Sequence, residues 1–158
     1  MVVGVDDVRI ISCQAPTGKP DAQIRIGATG TFVGNDVYNT TGEGQTRTAR
    51  VARGATITYT IKVQNDALVA DTLRLKGTRA STHYRVTYTA GGLDITDEVT
   101  AGTYTTPVLS PGATHTVRAV VKVKATAPIG SSLTAALTAK SATTPAVKDT
   151  VKFVTRRA

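Results

Sequence analysis

Few side chains in this chain could do chemistry, and their spacing limits what that chemistry could be. His83 and His115 are the only histidines. Imidazole titrates near neutrality, so a histidine general base would have to be one of these two. Both are read as strand residues, His83 beside Tyr84 and His115 between two threonines, where a surface or edge position accounts for them. Ser81 stands near His83, but there is no G-x-S-x-G elbow to expose a nucleophile. The single cysteine, Cys13, can form no internal disulfide, and neither HExxH nor a paired-cysteine zinc spacing occurs. Asp94, Asp97 and Glu98 could supply a carboxylate pair for glycoside hydrolysis, yet three acids in one loop usually make a solvated turn. A lysine cross-link to Asn or Asp needs a buried lysine, and alternation puts Lys62 on the polar face with Thr58 and Thr60.

Oxygen ligands suited to calcium are grouped at Asn35, Asp36, Asn39 and Glu43, and Asp6-Asp7 is a second cluster. Calcium takes about six to eight oxygens, several of them carboxylate. Neither cluster matches the D-x-[DN]-x-[DN]-G loop, and Asn and Asp serve as turn formers in such segments. The triplet Asn39-Thr40-Thr41 is formally a glycosylation sequon. The expectation is no catalytic residue, no cofactor and no resident metal, with a melting temperature that a chelator leaves nearly unchanged.

Charge and composition narrow the partners. The formal net charge is +8, and concentrated positive charge attracts nucleic acid or acidic surfaces. Here the 19 Lys and Arg residues run singly from Arg9 onward, and the only adjacent pair is Arg156-Arg157. Aromatics are 4% and Trp is absent, too little for base-stacking platforms. Nucleic acid is therefore not expected as a partner. A polysaccharide platform would have to use Tyr38 or Tyr104, both placed in loops. No run approaches the ~18 apolar residues of a membrane-spanning helix. The opening MVVGVDDVRIISC lacks a basic leader and a small-residue cleavage site, so it is not read as a signal peptide.

The elements that must position these residues read as strands. Threonine occurs 29 times against two Glu and one Met, a balance that favours strand over helix. In ATITYTIKVQN, Ile57, Tyr59, Ile61 and Val63 alternate with Thr58, Thr60, Lys62 and Gln64. Leu73 and Leu75 point inward in the next run, then Tyr84, Val86 and Tyr88, with Gly91-Gly92 as a tight turn. Later runs place Val117, Ala119, Val121 and Val123, then Leu133, Ala135, Leu137 and Ala139, then Val151 and Phe153, on one face each. Ile24 and Ile26 form an early strand, and short strands are expected near Thr31 to Val33 and Thr46 to Val51. SLTAALTAK has the Ala and Leu content of a helix, but its flanking Gly130 and Ser141 and its threonines favour a strand. The fold expected is all-β: an antiparallel sandwich of seven or more strands, with a closed barrel as the alternative. Residues 1–20 are read as an N-terminal arm and 21–158 as one sandwich domain, carrying a long Gly- and Thr-rich insertion at 27–50.

Two pieces carry a family resemblance. VARGATITYTIKVQNDALVADTLRLKG combines a Gly turn, a long alternating strand and an Asn at its end. VLSPGATHTVRAVVKVKATAPIGSSLTAALTAKS combines a Pro-Gly turn, an alternating Val strand, a second Pro-Gly turn and a strand ending in Ser. Together they resemble bacterial immunoglobulin-like surface modules, and are similar to CARDB (cell-adhesion-related) domains and to Ig-like modules appended to secreted hydrolases. The resemblance implies an extracellular or cell-surface module with a structural or adhesive role. Its partners would be other domains of the same surface protein or neighbouring subunits. That family shares no catalytic residues to transfer. The insertion and the arm depart from its pattern, and a specific function would be sought there. A second reading is a self-assembling filament, sheath or virion-surface subunit, whose arm residues Val3, Val5, Val8, Ile10 and Ile11 pair with a neighbour's sheet edge. The favoured expectation is that the arm serves its own sandwich in a monomer. A third reading is a carbohydrate-binding module.

Overall fold

The computed structural model describes residues 17–158, so the arm residues Val3, Val5, Val8, Ile10 and Ile11, with Asp6, Asp7 and Cys13, lie outside the described residues. In chain order the described elements are β1 (Pro20–Ile26), β2 (Thr46–Val51), β3 (Thr56–Asn65), β4 (Leu73–Gly77), β5 (Tyr84–Ala90), β6 (Leu93–Asp94), α1 (Thr96–Ala101), β7 (Tyr104–Thr105), β8 (Thr114–Val123), β9 (Ser132–Ser141) and β10 (Lys148–Arg157). The strands form two five-stranded sheets, ordered β1-β3-β8-β5-β6 and β2-β10-β9-β4-β7. This is the β-sandwich expected from the alternation, in the immunoglobulin-like form that the resemblance implies. One pairing departs from antiparallel: β2 runs parallel to β10, with Thr46 opposite Lys152 and Val51 opposite Arg157.

Period-two patterning decides which faces meet. Tyr59, Ile61 and Val63 of β3, Val117, Ala119, Val121 and Val123 of β8, and Leu137, Ala139, Val151 and Phe153 of β9 and β10 are fully buried. Tyr59 and Phe153 join the sheets, their ring centroids 5.1 Å apart. The Tyr59 hydroxyl lies 3.0 Å from both the Val154 carbonyl and Thr155 Oγ1, so the buried phenol keeps a polar partner. Replacing Val121 by alanine should cost about 1–3 kcal/mol through the cavity left behind. Replacing the exposed Lys122 beside it should cost under about 0.5 kcal/mol. Equal losses in urea denaturation would show the register of β8 to be wrong.

Turns follow the glycines. Ala90 pairs with Leu93 across Gly91 and Gly92, whose φ angles are 58° and 83°. A two-residue hairpin needs this left-handed pair so that the turn matches the twist of its strands. The expected turn at Asp94, Asp97 and Glu98 is instead the end of β6, at Asp94, and the first turn of α1, at Asp97 and Glu98. Asp94 Oδ1 accepts the Thr96 N–H at 2.9 Å; the Thr96 side chain first, and then this N–H, hold the carboxyl below the usual carboxylate range. Gly102 closes the helix with φ 77°. Asp97 and Glu98 fall in the first turn, where negative charge suits the helix dipole. The expected strand near Val33 is a single bridge to Ile24. His83 sits in a bend just before β5, not on a strand.

Strand directions define two poles. Pro20 pairs with Asn65, and Leu73 with Ser141, so Pro20, Asn65, Thr114, Ser141 and Lys148 cluster at one end, the proximal pole. Arg157 donates its N–H to Ser131 and Ala158 to Val51, at the distal pole. The chain therefore comes into the sandwich at one end and leaves at the other.

Candidate functional site

The segment between β1 and β2 folds back over β1 at the proximal pole. Asp149, at the start of β10, anchors it. Its side chain is fully buried, and Oδ2 accepts the Ala22 N–H of β1 at 2.7 Å. Oδ1 accepts Gln45 Nε2 at 2.6 Å, the Asn39 N–H at 3.0 Å and the Thr150 N–H at 3.1 Å. One carboxylate thus joins both sheets to the connecting segment. Burial raises its pKa, and the four hydrogen bonds oppose that rise.

Beside this anchor lies a group of acids. One carboxylate oxygen each from Asp21, Asp36 and Asp66 fall within 4.8 Å of one another. Asp21 comes from β1, Asp36 from the connecting segment and Asp66 from the turn after β3. Asp21 is fully buried. Its Oδ2 accepts Gln23 Nε2 at 2.9 Å and the Asp36 N–H at 3.3 Å, whereas its Oδ1 has no hydrogen-bond partner. Burial pushes the Asp21 carboxyl up to about 6; the two hydrogen bonds oppose this, and the like charges of Asp66 and Asp149 add to it. The Tyr38 hydroxyl bridges the other two acids, 2.5 Å from Asp66 Oδ2 and 3.1 Å from Asp36 Oδ1. Burial and the Asp66 carboxylate raise the pKa of that hydroxyl. Asn35 Nδ2 reaches Asp36 Oδ2 at 2.8 Å, and Asn35 Oδ1 accepts Gln23 Nε2 at 3.0 Å. Asp36 itself holds φ 60°, a left-handed conformation that non-glycine residues rarely adopt.

Of the oxygen ligands singled out in the sequence, Asn35 and Asp36 reach this group. Asn39 does not: its Oδ1 accepts the Thr41 and Gly42 N–H groups and its Nδ2 donates to the Glu43 carbonyl, bracing a local turn. Glu43 contributes that carbonyl, and its residue is exposed. Asp21 and Asp66 were missed. Nothing in the sequence marks them, because they meet Asp36 only through the pairing of β1 with β3 and the fold-back of the connecting segment.

The remaining reactive side chains have other partners. His115 Nε2 lies 2.8 Å from the Tyr104 hydroxyl, and the rings stack with centroids 6.0 Å apart. Burial lowers the His115 pKa. His83 Nδ1 lies 3.3 Å from Thr126 Oγ1. Tyr38 and Tyr104, the two candidate sugar platforms, are therefore both engaged, and Tyr38 also carries the Lys19 ammonium 4.7 Å from its ring centroid. Lys62 lies 4.6 Å from the Phe32 centroid, where Arg25 also sits, at 4.4 Å.

The outer face of the second sheet carries a basic row that spacing could not reveal. Arg74, Lys140 and Lys148 stand directly opposite one another on β4, β9 and β10. They line a hollow of about 400 Å³ together with Lys76. Like charges in register repel. Lys140→Glu should therefore raise stability by about 0.2–1 kcal/mol per facing pair at low salt, an increment that shrinks at high salt. No gain in melting temperature at low salt would show that the row carries no repulsion.

Neither a protein-family model nor a curated protein sequence matches the chain. Among solved structures it is similar to a family 123 glycoside hydrolase from Clostridium perfringens, at 7% identity and TM-score 0.48, over 87% of this chain and 27% of that one. It is also similar to the secreted serine protease VesC from Vibrio cholerae, at 13% identity and TM-score 0.45, over 70% of this chain and 21% of that one. PapD-like domain 7 of human CEP192 matches at 9% identity and TM-score 0.43, over 93% of this chain and 91% of that one. The chain spans well under a third of either enzyme, and the likeness to all three is one of fold.

Proposed function

We propose that this chain is a non-catalytic structural module of a bacterial cell-surface or secreted protein, placed in line between other segments. The observation that supports it is that β1 begins and β10 ends at opposite poles of the sandwich. The chain reaches Pro20 at the proximal pole and leaves after Arg157 at the distal pole, the full length of β10 away. Ten extended residues rise roughly 33 Å, so the module acts as a spacer of about that length. Large apolar residues exposed at turns fit the same reading: Leu68 beside Asn65 at the proximal pole is 95% exposed, and Ile129 near Ser131 at the distal pole is 85% exposed.

Two measurements test the reading. An antibody raised against the sandwich should label intact source cells or their medium; labelling only after lysis would end the surface assignment. Two copies joined head to tail should lengthen the particle by roughly one strand length in small-angle scattering. A side-by-side pair of unchanged length would remove the spacer geometry.

A further inference from the structure

The acid group at the proximal pole holds a carboxylate that the fold buries without completing its hydrogen bonds. We propose that Asp21, Asp36 and Asp66 bind a calcium ion that fastens the segment between β1 and β2, and the turn after β3, onto β1. The three oxygens converge within 4.8 Å. They come from parts of the chain 15 and 30 residues apart, so an ion between them acts as a tertiary cross-link. Asp21 is fully buried and its Oδ1 has no partner. A buried carboxylate costs several kcal/mol unless it is paired, and the charges acting on it here, from Asp66 and Asp149, have the wrong sign to help. A divalent cation supplies the missing partner. The donors are all oxygen, which selects a hard ion over zinc or copper. Carboxylate count and separation suit calcium with water completing the shell, since calcium tolerates irregular geometry where magnesium demands an octahedron. The Tyr38 hydroxyl holds Asp36 and Asp66 side by side without consuming every lone pair on either. The inference is independent of the module's cellular role, and it reverses the expectation, drawn from spacing alone, that chelation leaves stability unchanged.

Terbium provides a direct readout, because the ion replaces calcium at oxygen sites and is sensitised by a neighbouring tyrosine. The chain has no Trp, so Tyr38 would be the donor. Tyrosine excitation should yield terbium emission that calcium chloride displaces. In thermal melts, calcium at about a hundredfold excess over its dissociation constant should raise the melting temperature by about 5–10 °C relative to chelator. Asp36→Asn and Asp66→Asn change partly or wholly exposed side chains and should fold normally. Each should weaken binding more than tenfold and abolish most of the shift. Equal melting temperatures in millimolar calcium and in chelator would overturn the assignment. So would an equal shift from magnesium chloride, or emission and stabilisation that persist in the double variant.

Discussion

Replacing Asp149 by alanine is expected to destabilise the protein by about 3–5 kcal/mol, read as a lower urea midpoint with an unchanged slope. The side chain is fully buried, and four donors end on it: Ala22 N–H, Asn39 N–H, Gln45 Nε2 and Thr150 N–H. Alanine takes the acceptor from the Ala22 N–H, the Asn39 N–H and Gln45 Nε2, while the Thr150 N–H keeps the Asn39 carbonyl at 2.8 Å. Buried donors left unpaired cost about 1–3 kcal/mol each, and some relaxation toward solvent limits the sum. Asp149→Asn is the informative partner. Its remaining oxygen can serve Gln45, Asn39 and Thr150, but its NH₂ would then face the Ala22 N–H, donor against donor. The loss should be intermediate, about 1–3 kcal/mol. A loss below about 1 kcal/mol in the alanine variant would show that the two sheets and their connecting segment do not depend on this carboxylate.

Asn65→Asp is expected to cost about 3–4 kcal/mol at neutral pH although it changes hardly any volume. Asn65 is fully buried at the end of β3. Its Nδ2 donates to the Val69 carbonyl at 2.9 Å and the Leu109 carbonyl at 2.8 Å, while its Oδ1 accepts the Ala67 N–H at 3.0 Å. The substitution turns the donor into an acceptor that faces two carbonyl oxygens. Burial and those oxygens raise the introduced carboxyl's folded-state pKa above the unfolded value of about 3.9. A group raised in this way holds its proton more tightly when folded. The penalty is therefore smallest below about pH 4 and grows as pH rises through the folded-state pKa. Unfolding of the variant across that range should show stability falling with pH relative to the parent chain. A pH-independent difference would mean that the carboxyl is solvated and the brace is dispensable.

Asn65 also illustrates what the sequence makes legible. An Asn closing a long alternating strand reads as a residue that bonds its own neighbourhood; it does so at Ala67 and Val69, while its other donated bond reaches the Leu109 carbonyl, far off in sequence. The strands themselves were visible because alternation is local: Tyr59, Ile61 and Val63 face inward wherever β3 is placed. Gly91-Gly92 was visible because few residue pairs accept two left-handed conformations. Helix α1 was not, because six residues rich in Thr carry no 3.6-residue stripe and its stop lies in the left-handed Gly102. Threonine is harder to place: Thr150 lines the same outer hollow as Lys140 and Lys148, yet it is buried, with its hydroxyl 2.7 Å from Thr138 Oγ1. A methyl and a hydroxyl on one carbon let threonine satisfy either face, so pattern alone cannot place it. The acid group was half legible: Asn35 and Asp36 drew attention as a local cluster, whereas Asp21 and Asp66 join them only after the chain has folded.

The parallel pairing of β2 with β10 bears on how the sandwich responds to tension between its poles. Traction applied at Arg157 runs along the axis of β10, which is hydrogen-bonded on one flank to β9 and on the other to β2. Traction on the segment before Pro20 runs along β1 in the opposite sense, against its whole register with β3. In both places the ladder is sheared, so its hydrogen bonds resist together, where a strand peeled from its end would surrender them one at a time. Stretched in this direction, the fold yields only when a complete ladder fails.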